Sequence, residues 1–170
     1  GHDLFGADSL EIFEGGFALV CVTTQRVGIV GLPPDNQGLA DWDRVRYGSL
    51  DIASDDYSFD IFTQVATAVG PNRDTVGEDP LSGLEVKHVV GQGASQSAGR
   101  LATYVNAIAP LNQAFDGFIL TIYFGRGTSL EVGDTVVNIN APQAGSVQQR
   151  LQGQNLLRDD LDVPVFVVNS

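Results

Sequence analysis

Residues 86–100 read VKHVVGQGASQSAGR. The first five residues are a short β-type run. From Ser97 onward Leu101, Tyr104, Val105 and Ile108 recur at helical spacing until Pro110. The junction is dominated by small residues: Gly91, Gly93, Ala94, Ser95 and Ser97. A strand that turns straight into a helix needs small side chains where the two backbones cross, and a serine at the corner has its hydroxyl lifted clear of the sheet. Ser95 is therefore the candidate catalytic nucleophile. Gly93, Ala94 and Ser97 are the residues that support the corner. The backbone N–H of Gln96, at the positive end of the helix, is the candidate for half of an oxyanion hole. Ser97 departs from the usual G-x-S-x-G spacing, in which glycine holds that position.

On the amino-terminal side, residues 17–23 (FALVCVT) form a continuous apolar, β-branched run between Gly15-Gly16 and polar Thr24-Gln25-Arg26, which predicts a central strand buried on both faces. Residues 31–54 have no sustained periodicity and predict a long loop. Ser54-Asp55-Asp56 then opens a helix over residues 57–69, where Phe59, Phe62, Val65 or Ala66, and Val69 recur at helical spacing and Gly70-Pro71 ends it. Beyond the junction, residues 115–124 and 163–168 predict two further strands, with a helix near residues 146–156. Strands written as apolar runs and alternating with helices indicate one α/β domain over residues 1–170, with a mostly parallel sheet and helices on both faces.

Composition narrows the function. A formal charge of −12 argues against a nucleic-acid partner, whose phosphates require clustered Lys and Arg. The longest apolar runs are too short to cross a bilayer and lack the flanks of a signal peptide, so the chain reads as soluble with no membrane partner; compartment and oligomeric state stay open. Cys21 stands alone in an apolar run and reads as a small buried hydrophobe. His2, His88 and one cysteine make no metal-ligand cluster, and Asp55, Asp56 and Asp60 read as the acidic opening of a helix, so neither metal nor cofactor is expected.

The run over residues 91–105 (GQGASQSAGRLATYV), followed by Phe115-Asp116-Gly117-Phe118, resembles the bacterial alpha/beta hydrolase domain family, in which G-x-S-Q-S forms the elbow. Residues 16–28, 46–54, 56–64 and 163–170 are similar to family segments in the same order, so the likeness covers nearly the whole chain. It implies an α/β-hydrolase-like fold and hydrolysis of a carboxylic-ester acyl bond in a small-molecule substrate.

The triad is the open point. The chain order expected for this fold is Ser, then Asp or Glu, then His. No histidine follows Ser95, and His88 lies in the run leading to the elbow, where a structural role is expected. Asp116 enters a strand at its amino end, away from the edge where active-site groups gather, and reads as a cap or turn residue. Glu131 and Asp134 are weak candidates for the acid. With a start at Gly1-His2 and predicted strands close to both ends, the chain reads as the interior of a longer hydrolase, with its acid and histidine elsewhere. Two alternatives remain: a non-catalytic α/β binding module, and a nucleotide-binding domain suggested by Gly91-x-Gly93 but weakened by Gln96 where that fingerprint needs its third glycine.

Overall fold

Two amphipathic stretches place the core. The first is α5 (Ser58–Val69), opened by a single 3₁₀ turn over Asp55–Tyr57 in which the Ser54 hydroxyl accepts the Asp56 N–H at 3.1 Å, and stopped at Gly70. The second is α6 (Gln96–Thr103), which runs on through one π-helical turn, Tyr104–Ile108. Ala98, Leu101, Ala102 and Val105 make its inward stripe, spaced at three and four residues and all at or below 4% exposure. In the computed structural model, residues 10–32, 36–74, 78–125, 127–131 and 156–169 are described.

The remaining elements in chain order are α1 (Leu10–Glu14), α2 (Arg26–Val30), β1 (Gly31–Leu32), β2 (Asn36–Gln37), α3 (Leu39–Trp42), α4 (Arg44–Tyr47), β3 (Val90–Ala94), β4 (Gly117–Thr121) and β5 (Val165–Val168). β1 and β2 form a small antiparallel ribbon; β3, β4 and β5 form a parallel sheet in that order. The fold is α/β. Register pairs Gly91 with Phe118 and Val165, and Gly93 with Leu120 and Val167, so these residues share one face. Phe118 and Leu120 join α5 and α6 in the core there, while Val90, Phe166 and Val168 on the opposite face are exposed.

An aromatic cluster closes the helices onto the sheet. Phe62 stacks on Phe115 at 4.7 Å between ring centroids, and Tyr104 meets both rings edge-on at 5.4 and 5.5 Å. Each such pair contributes on the order of 1 kcal/mol beyond area burial. The Tyr104 hydroxyl, 1% exposed as a residue, lies 2.7 Å from Thr63 Oγ1 and donates to Asn112 Oδ1 at 3.2 Å, so its burial leaves no polar atom stranded.

Several sequence expectations shift. Residues 17–23 form no strand: Phe17, Leu19 and Val20 are exposed, Cys21 is exposed rather than buried, and no ladder among the described residues includes them. An apolar run has strand propensity, but a strand exists only where a partner edge meets it. The expected loop over residues 31–54 contains the β1–β2 ribbon and the short helices α3 and α4, the latter capped by Asp43, whose carboxylate accepts the N–H groups of Val45 and Arg46 at 3.1 Å. The strand expected at residues 86–90 lies at β3, four residues later and largely within the glycine-rich stretch. The helix expected near residues 146–156 falls outside the described residues save for Leu156, which is not helical. No helix among the described residues is long and apolar enough to cross a membrane.

Candidate active site at a strand-to-helix elbow

Ser95 stands between the last residue of β3 and the first of α6, with φ 54° and ψ −114°. Side-chain-bearing residues rarely adopt a positive φ, and holding one there costs of order 1–3 kcal/mol. Two backbone bonds fix it. The Ser95 N–H donates to the Thr121 carbonyl at 2.9 Å, which carries the β3–β4 ladder one residue past the strand, and its carbonyl accepts the Gly99 N–H at 3.2 Å. Ser95 is exposed.

Small residues surround it. A Cβ on Gly93 would stand 2.6 Å from the carbonyl oxygen of Ser97, so only glycine allows the helix to start this close to the strand. A Cβ on Gly91 would press on the Phe118 ring at 2.9 Å. Ala94 is half-buried, and Ser97 is exposed, so serine in place of the usual glycine has its side chain at the surface. Gln96 is the first residue of α6, and the first N–H groups of a helix have no intrahelical acceptor. Its N–H therefore lies at the positive end of the helix dipole without an intrahelical acceptor.

Behind the elbow lies a polar anchor that the sequence reading did not identify. Arg100, on the second turn of α6, is 8% exposed; its Nη1 donates to Ser58 Oγ, its Nη2 lies 3.8 Å from Asp55 Oδ2, and its guanidinium carbon is 5.7 Å from the centroid of the Phe59 ring. Asp55, 1% exposed, accepts the Arg26 N–H through Oδ1 at 2.6 Å. Burial lowers the Arg100 pKa, and the nearby Asp55 and Asp56 carboxylates oppose that shift. The elbow helix, the start of α5 and the start of α2 are thereby tied together. Thr103, farther along α6, accepts the Thr128 N–H at 2.8 Å and donates to the Thr128 carbonyl at 2.7 Å, fastening the helix to the chain that follows β4.

The other candidates lie elsewhere. His88 precedes β3 and is exposed rather than set in the strand, with Nδ1 3.6 Å from Asp116 Oδ1. Asp116 accepts the Val89 N–H at 2.7 Å and returns its own N–H to the Val89 carbonyl at 2.8 Å, clamping the amino ends of β3 and β4. Both residues are at the opposite end of the strands from Ser95. Glu131 is exposed, and Asp134 falls outside the described residues. Two open depressions of about 450 and 440 Å³ share Asp51, Ile52 and Ile61, and neither is lined by Ser95.

Comparison with curated proteins and with solved structures returns no match. Residues 2–170 match the alpha/beta hydrolase domain family, which is more than half of the chain. This chain, with its parallel sheet, its helices and a serine at positive φ where a strand turns into a helix, belongs to the alpha/beta hydrolase domain family.

Proposed function

We propose that the protein is a serine hydrolase that cleaves carboxylic esters of small molecules, with Ser95 as the nucleophile. The observation that carries this reading is the backbone of Ser95, held at φ 54° between a parallel strand and a helix N-terminus. A serine needed only for packing gains nothing from that strain; a nucleophile gains exposure and a helix N-terminus at its side. In the reaction the Ser95 oxygen attacks the acyl carbon while a general base takes its proton. The Gln96 N–H stabilises the resulting oxyanion, the alcohol leaves carrying a proton, and water then releases the acid from the acyl-enzyme. Ser95 and Gln96 belong to the 170 residues, as do the supporting Gly93, Ala94 and Ser97. The base and its acid belong to a part of the protein beyond them, since no histidine follows Ser95 and His88 lies at the far end of β3. The remaining oxyanion donor is assigned there as well, within the same hydrolase domain. The chemistry requires neither metal nor cofactor, and no nucleic acid or membrane enters it.

The test is covalent labelling of the full-length gene product with an alkyl fluorophosphonate, followed by peptide mapping. The expected adduct is on Ser95 and is lost in Ser95→Ala, together with ester hydrolysis. If the folded wild-type protein takes no label while a known serine esterase in the same tube does, the chain is a non-catalytic α/β scaffold.

A further inference from the structure

The strain at Ser95 is repeated one strand away. Register pairs Ala94 with Thr121 and Thr121 with Val168, so the next level of the sheet sets Ser95, Ile122 and Asn169 side by side. Ile122 has φ 54°, the same as Ser95. The Ile122 N–H donates to the Val168 carbonyl at 2.8 Å, and the next N–H, of Tyr123, donates to Asn169 Oδ1 at 2.8 Å. A β-branched residue at positive φ is a genuine outlier, and glycine would take the same conformation without penalty. The side chain is half-buried, outside the cluster of buried residues that forms the core, so packing alone gives little return for the strain.

We propose that Ile122 is a specificity-determining residue: its side chain is the wall that limits the acyl group carried by Ser95. The Ser95 N–H bonds to the carbonyl of Thr121, the residue before Ile122, and neighbouring strands run about 4.8 Å apart, so the sec-butyl side chain of Ile122 begins about one strand spacing from the nucleophile. Gln96, holding the oxyanion, occupies the helix side of Ser95; Ile122 occupies the β4 side. The acyl group stays on Ser95 through both half-reactions, whereas the alcohol leaves after the first, so a fixed wall beside the serine meets the acyl group throughout. The inference rests on Ser95 being the nucleophile.

The experiment compares labelling rates of the full-length protein with methyl and octyl fluorophosphonates, and hydrolysis of two ester series, one varied in the acyl chain and one in the alcohol. Ile122→Gly and Ile122→Asn are used because glycine takes a positive φ without penalty and asparagine adopts one more readily than other residues with side chains. The expected result is a thermal midpoint equal to or above wild type and an octyl-to-methyl rate ratio raised by about tenfold, with the same shift in the acyl series. A ratio within about twofold of wild type in both variants overturns the proposal, because a pocket wall is worth more than that. So does a change confined to the alcohol series, or a lowered midpoint in both variants, which makes Ile122 a packing residue. Absence of label on wild-type protein instead removes the Ser95 reading itself, and is seen before any change at position 122.

Discussion

The corner at Gly93 and Ser95 was readable in advance as geometry, because a strand-to-helix turn is a local event whose steric demands fall within five positions of the chain. The structure adds the distance that makes Gly93 obligatory. Gly93→Ala would set a methyl 2.6 Å from the Ser97 carbonyl, against backbone that cannot swing away. The expected cost is about 1–3 kcal/mol of stability by urea denaturation, with loss of fluorophosphonate labelling as the elbow opens. Ser97, the one departure from the usual spacing, has its side chain exposed. Ile122 and Asp55 were not legible in the same way. Their importance comes from neighbours across the sheet or from separate helices, and nothing within a few residues of either announces it.

At the scale of elements, α5 and α6 were legible because helical periodicity is written into consecutive turns; each starts within a residue of the expectation, and the expected end at Ile108 is reached only through the π-helical turn that follows α6 at Thr103. Strands carry less local information. The valine-rich run at residues 86–90 has the stronger β propensity, yet β3 occupies Val90–Ala94, where glycines let the helix and Phe118 approach the backbone. Packing won over propensity there, whereas at residues 17–23 propensity is high and no strand forms because no partner edge among the described residues meets the run. The anchor joining α2, α5 and α6 makes a prediction at this scale. Asp55→Ala leaves the Arg100 guanidinium buried beside Ser58 without its carboxylate, and the expected loss is about 3–5 kcal/mol. Adding Arg100→Met removes the stranded charge and fills the volume, so the double variant is expected to be more stable than Asp55→Ala alone. Urea midpoints of the two proteins decide it; a double variant less stable than the single one means that the ion pair is not what binds the three segments.

For the molecule as a whole, the aromatic cluster carries an alkaline dependence of stability. Burial raises the Tyr104 pKa above its ordinary value of 10.0, and its hydrogen bonds to Thr63 and Asn112 offset part of that shift. The raised value means that this stabilising contribution is fully present below the unfolded value of about 10 and is lost as pH rises through the folded one. Tyr104→Phe is therefore expected to cost about 1 kcal/mol near pH 7 through the lost hydrogen bonds, and the gap to wild type narrows above about pH 10. Urea denaturation from pH 7 to 11 measures both limbs, and a gap that stays constant refutes the assignment. On the acid side the sign reverses: a carboxyl whose pKa is lowered on folding contributes stability that is lost as pH falls toward the folded value. The Arg73 guanidinium beside Asp79 holds that carboxyl well below the usual carboxylate range, as do the N–H groups of Leu81 and Gly83. The elbow also has a place in time. Its backbone bond to Thr121 spans 26 residues, and Arg100 of the helix behind it meets Ser58 across 42, so closing these loops must come before the turn has anything to hold it. A nascent chain that has not yet emerged as far as Thr121 lacks the carbonyl that holds Ser95, so the positive-φ turn has no anchor on β4 until then.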